Sequence, residues 1–226
     1  MLYLIYFLII LIVPLVAQAK VRSAYSKYSQ VYSTSGMTGA QVARRILDAN
    51  GLYNIAVEET PGYLSDHYDP RTKTVRLSTN NYYGNSVAGT AVAAHEVGHA
   101  IQDAKDYSFM RFRHALVPVA NLGSNMSWIF IMIGIFARLS NMLLLGIVLM
   151  AAGVLFQLIT LPVEFDASRR AMKQIDSLGI VDHGEEGSAR KVLNAAALTY
   201  VAAAAVAVFE LLRLLLVYTG MQRSDD

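Results

Sequence analysis

The chain has 226 residues, of which 54% are hydrophobic and only 16% charged. Its mean hydropathy is +0.38, and the apolar residues come in blocks rather than periodic stripes, which points to a membrane protein with one modest polar domain. The 19 Lys and Arg against 17 Asp and Glu exclude a nucleic-acid binder with a dense basic face. The absence of cysteine excludes a disulfide framework, a thiolate zinc site and a cysteine nucleophile.

In chain order, residues 1–19 form the first expected transmembrane helix, because positions 2–19 carry no charge and span roughly 27 Å. Ala17-Gln18-Ala19 has the small-x-small form of a signal-peptide cleavage site, but no Lys or Arg precedes the apolar run, so a retained anchor is expected. Residues 20–114 are the one stretch long enough to fold in water. There Thr38-Gly39 leads into a helix with Val42, Ala43, Ile46 and Leu47 at helical spacing, stopped by Asn50-Gly51. Residues 55–59 read as a short strand, 66–70 as a turn and 74–78 as a second strand, and Ser86 caps a helix running to about Asp103. Residues 115–162 hold expected transmembrane helices two and three, in which Asn121, Ser124 and Asn125 should face other helices or a wet cavity. A polar segment follows over 163–194, then a fourth, alanine-rich transmembrane helix over 195–218 and a tail over 219–226. Glu210 and Arg213 in that helix read as an ion pair rather than a proton relay. The fold class is a mainly α integral membrane protein, with about four transmembrane helices and a small α+β cytosolic domain. Eleven Lys and Arg lie between the first two spans and five between the last two, which predicts both termini outside and both polar segments in the cytoplasm.

The helix closing the polar domain contains His95-Glu96-Val97-Gly98-His99. Histidines at i and i+4 leave one helix face and reach a single cation, expected to be Zn2+. Glu96, about 100° round the helix from His95, is placed to take a proton from a zinc-activated water as general base. A catalytic zinc needs a third protein ligand on the same side of the membrane. Two spans return the chain to that side at Pro162, which makes Glu164 the candidate ligand, with Asp166 in reserve.

The segments Ala94–Gln102 and Val163–Ser168, with looser support from Ser65–Pro70, resemble the bacterial membrane-bound neutral zinc metallopeptidase family, a YugP-like group of glutamate-zincins. The resemblance spans nearly the whole chain. It implies a zincin-like domain, a multi-pass protein of the cell (inner) membrane, and a protease with its zinc on the cytoplasmic side. Glutamate-zincins usually show an Asp four residues after the third-ligand Glu; here Ser168 stands there and the acid is Asp166. Around the site, Asp103 or Gln102 is expected to orient a ligand imidazole. The strand at 74–78 is expected to pair with an extended substrate. His67 or Tyr68 serves either as oxyanion stabiliser or as part of a turn. The function expected is zinc-dependent hydrolysis of peptide or membrane-protein substrates at the lipid bilayer, with no nucleic-acid partner. The alternatives, both ranked below the peptidase, are a catalytically silent zinc-bearing scaffold for another protease complex and a transporter or channel.

Overall fold

The structure, a computed structural model, describes Leu2–Asp225. Its elements are α1 (Leu2–Tyr28), α2 (Gly39–Ala49), β1 (Ala56–Thr60), β2 (His67–Asp69), β3 (Thr74–Ser78), α3 (Thr79–Tyr83), α4 (Val87–Ala104), α5 (Ser108–Phe136), α6 (Ser140–Ser177) and α7 (His183–Asp225). Four helices are long and apolar enough to cross a membrane: Tyr6–Tyr28, Ser108–Phe136, Ser140–Ser177 and His183–Arg223. The fold is thus mostly helical with one small sheet, as expected. The helices outrun their apolar blocks. At 38 residues, α6 is roughly 57 Å long, about twice a hydrocarbon core, and it passes through Pro162 without a break.

The chain divides into two compact units. One holds the residues up to Pro14, Ser108–Pro162 and the residues from Tyr200; the other holds Leu15–Tyr107 and Val163–Thr199. The first unit packs helix backbone close to helix backbone. A Cβ on Gly146 would lie 2.6 Å from Ile131 Cγ1 and 2.8 Å from the Ile131 nitrogen, and one on Gly123 would lie 2.6 Å from the Leu149 carbonyl oxygen. Such approach is how helices gain dispersion energy where lipid removes the hydrophobic drive. The buried face of α5 is therefore Ala120, Gly123, Ser127, Ile131 and Gly134. Asn121, Ser124 and Asn125 are exposed in the single chain, with Ser124 Oγ standing against Gly153 of α6. Small size, more than polarity, decides which face of α5 turns inward. Arg213 donates to Glu210 at 2.6 Å and lies 4.8 Å over the Tyr6 ring, an ion pair steadied by an aromatic face.

In the second unit, Thr38 and Gln41 form a capping box that starts α2, whose apolar face buries Val42, Ala43, Ile46 and Leu47. The sheet order is β1-β3-β2, with β1 parallel and β2 antiparallel to β3. Two expectations are corrected here. Residues 66–70 are not simply a turn, because His67–Asp69 form β2; three residues are too few for a period to show. And β3 has a partner on each edge, so no substrate strand can join it. Its Thr74, Val75, Leu77 and Ser78 are all buried, the pattern of a central strand. Asp66 ties this region together by accepting from the Ser78 backbone N–H (2.8 Å) and from Asn81 Nδ2 (3.0 Å). Ser86 caps α4 by accepting from the Gly89 N–H at 3.0 Å. Fourteen of the 18 residues of α4 are buried, so its histidines are held in a packed helix.

The close crossing of α5 and α6 predicts that Gly146→Leu lowers stability by about 1–3 kcal/mol through overpacking. Thermal melting of the detergent-solubilised protein measures this, and an unchanged midpoint would count against the packing described.

Candidate metal centre

The crossing of α4 with α6 depends on Gly98. A Cβ there would lie 2.5 Å from the Ala167 carbonyl oxygen, so only glycine lets the two backbones come this close. His99 adjoins that crossing, His95 lies about one turn before it on α4 and Glu164 about one turn before it on α6, which brings the three together. Their ligand atoms all lie within 4.8 Å of one another, and the group could hold a metal ion. Glu164 Oε2 is 3.3 Å from His95 Nε2 and 3.5 Å from His99 Nε2. The side chains are 13%, 10% and 3% exposed for His95, His99 and Glu164.

The surrounding hydrogen bonds decide which imidazole atoms carry protons. Gln102 Nε2 donates to the Val163 carbonyl at 2.7 Å and to Asp166 Oδ2 at 3.0 Å, so its amide oxygen is the end facing His99. That oxygen lies 3.0 Å from His99 Nδ1 and can only accept. Nδ1 therefore bears the hydrogen in neutral His99, and Nε2 points a lone pair at the Glu164 carboxylate. Ser168 Oγ sits 3.2 Å from His95 Nδ1 in the equivalent place. The His99 lone pair, the Glu164 carboxylate and the near nitrogen of His95 thus converge in a nearly closed site, a cluster that a positive charge would stabilise. Protons on both imidazoles would put two cations on rings whose centroids are 4.8 Å apart, whereas one divalent metal satisfies all three donors at once. Two imidazole nitrogens and one carboxylate oxygen, with the far nitrogen of each ring engaged, are a donor set that suits Zn2+ better than Mg2+ or Ca2+.

Glu96 is 8% exposed and lies beside this group. Burial pushes its carboxyl up to about 7; the neighbouring His95 pulls it down, Glu164 and Asp66 push it further up, and a hydrogen bond from the Tyr68 backbone pulls it down.

The other expected residues separate. Gln102 meets a ligand imidazole and Asp103 does not: Asp103 accepts from Tyr68 Oη at 2.6 Å and pairs with Lys73. Asp166 lies outside the donor group, held by Gln102 and by Arg170 at 2.5 Å. Tyr68 reaches the site through its backbone rather than its phenol. Burial and the Asp103 hydrogen bond push that phenol up, so it stays neutral. His67 is exposed on β2 with Nδ1 2.8 Å from the Ser65 carbonyl. Ser168 and Gly98 are the contributors that residue chemistry alone passes over. The spacing of Ser168, four after Glu164 on one helix face, is the signal that marks it.

Residues 3–219 match the family described as "Putative neutral zinc metallopeptidase". The protein "Putative membrane protease YugP" of Bacillus subtilis (strain 168) is 51% identical over 202 residues, which cover 89% of this chain and 90% of that protein. No solved structure matches the chain.

The raised Glu96 carboxyl has a consequence for stability. Its folded-state value of about 7 lies above the ordinary 4.5, so the folded protein binds this proton more tightly than the unfolded chain. Stability of the metal-free protein therefore falls as pH rises through the window from 4.5 to 7, by about 3 kcal/mol at this residue. Melting in chelator at pH 5 and pH 7 should show the fall, and Glu96→Gln should remove most of it.

Proposed function

The chain belongs to the zinc metallopeptidase family that it matches, and from that membership we propose that it is a multi-pass endopeptidase of the cell membrane, hydrolysing peptide bonds with Glu96 as general base. The observation that carries this is the convergence of His95 Nε2, His99 Nε2 and Glu164 Oε2, three potential metal-ligand atoms in a site nearly closed to water. These residues would hold the zinc. When bound, zinc polarises the scissile carbonyl and makes an attacking water acidic enough to react near neutral pH.

The rest is the work of the chain's own residues. Glu96, a buried carboxylate next in sequence to His95, accepts the proton of the attacking water and returns it to the leaving amine. Gln102 holds His99 in the tautomer that leaves Nε2 free, and Ser168 meets the far nitrogen of His95. Glu96 is a group that a purely structural zinc site does not need, and it favours turnover over a silent scaffold. The basic residues between the first two and the last two spans support a cytoplasmic site. The four membrane helices support membrane proteins or their juxtamembrane segments as substrates.

Two experiments test this. Glu96→Gln should keep zinc near one per chain and lower hydrolysis of a casein-like substrate by about 100-fold or more, whereas Glu164→Ala should lose both zinc and activity. Normal turnover by Glu96→Gln would overturn the base role. Gln102→Ala should weaken zinc affinity by about 10–100-fold while leaving most activity at saturating zinc, as read by titration against a fluorescent chelator.

A further inference from the structure

Beside the metal centre, with Ser168 common to both, the polar ends of α6 and α7 line a cleft of about 660 Å3 within the second unit. Its walls change character along the chain. Phe165 and Ala197 lie at the positions nearest the expected spans, followed by Ser168 and Asn194. Arg169, Lys173 and Arg190 come next, with Met172 and Leu193 buried beneath them.

The cations are not neutralised. Among the described residues, no hydrogen bond or ion pair engages the side chain of Lys173 or of Arg190. Arg169 reaches Asp166 only at 3.5 Å with its side chain 77% exposed. Two acids stand at the far end. Glu186 is 3.0 Å from His183 Nδ1, which leaves Asp176 as the one unengaged acid against three cations. Measured from Phe165, Arg169 stands roughly 6 Å and Lys173 roughly 12 Å further along α6. Helical side chains lean toward the helix N-terminus, here toward the expected span, so both cations extend back over that distance.

We propose that this cleft binds the phosphate of an anionic phospholipid headgroup. A phosphodiester offers several acceptor oxygens to Arg169, Lys173 and Arg190 from two walls, with Asn194 as a neutral donor. The run from cationic to apolar wall suits an anion that carries acyl chains. A free phosphate would leave Phe165 and Ala197 without a partner, and a charged peptide would bring polar backbone against them. The proposal rests on the membrane helices and the cleft, not on peptidase activity.

In the test, full-length protein in an uncharged detergent is offered dioleoylphosphatidylglycerol, dioleoylphosphatidylcholine, inorganic phosphate or an acidic peptide, and bound molecules are counted by native mass spectrometry. Phosphatidylglycerol should be retained over phosphatidylcholine and resist displacement by inorganic phosphate. Its binding should weaken roughly 30-fold in the Lys173→Ala/Arg190→Ala double variant. Arg71→Ala, which removes a cation elsewhere, and the charge-preserving Lys173→Arg/Arg190→Lys pair should both bind as wild type does. Equal retention of the two lipids, full binding by the double alanine variant, or displacement by phosphate or the acidic peptide would each overturn it. Because the readout needs no hydrolysis, failure here and failure of the peptidase reading are separable.

Discussion

A carboxylate oxygen held 3.3 and 3.5 Å from two imidazole nitrogens, in a site nearly closed to water, is the constraint on which the second unit depends. Removed from water and without a cation, such a group costs several kcal/mol. The fold accepts that cost because packing holds the atoms there. Gly98 sets the α4–α6 distance, and Gln102 spans the crossing, touching His99 on its own helix and Val163 and Asp166 on the other. The site is therefore prepared for a positive ion before one arrives, and little reorganisation remains when it does.

The two units reach close packing by the same device and use it differently. In the first, Gly123 and Gly146 let helix backbones touch, and what results is cohesion in a solvent that offers no hydrophobic drive. In the second, Gly98 does the same between α4 and α6, and what results is a fixed distance between ligands contributed by different helices. Glycine in a helix costs about 1 kcal/mol in propensity, and both units accept that cost where backbone must meet backbone.

Much of this was legible in the sequence, and the gaps have physical causes. His95, Glu96 and His99 stand out because i,i+4 spacing on a helix is a local rule. Glu164 was reachable only by following two spans out and back. The apolar blocks located four membrane helices but not their ends, since the polar extensions of α6 and α7 carry no apolar signal. β3 looked like an edge because neither partner is encoded in its own five residues, and the Asp66–Pro70 segment gave no sign of β2 because three residues cannot show a period. Asn121 and Asn125 lie off the buried face of α5; polarity marks residues that avoid lipid without saying which neighbour receives them. Ser168, a departure from the acid expected at that position, looked like a gap and turned out to stand beside the His95 ring.

His95 and Glu164 are 69 positions apart in the chain, and the whole of α5 with the apolar part of α6 lies between them. At ordinary synthesis rates of about 5–20 residues per second, the histidine pair leaves the ribosome roughly 3–14 s ahead of its carboxylate. During that interval the nascent protein has two imidazoles and no complete donor set. Whatever chemistry the finished set supports is withheld until an entire helical hairpin has been made and delivered to the bilayer. The order of the residues along the chain thus makes the donor set one of the later things to be completed in synthesis.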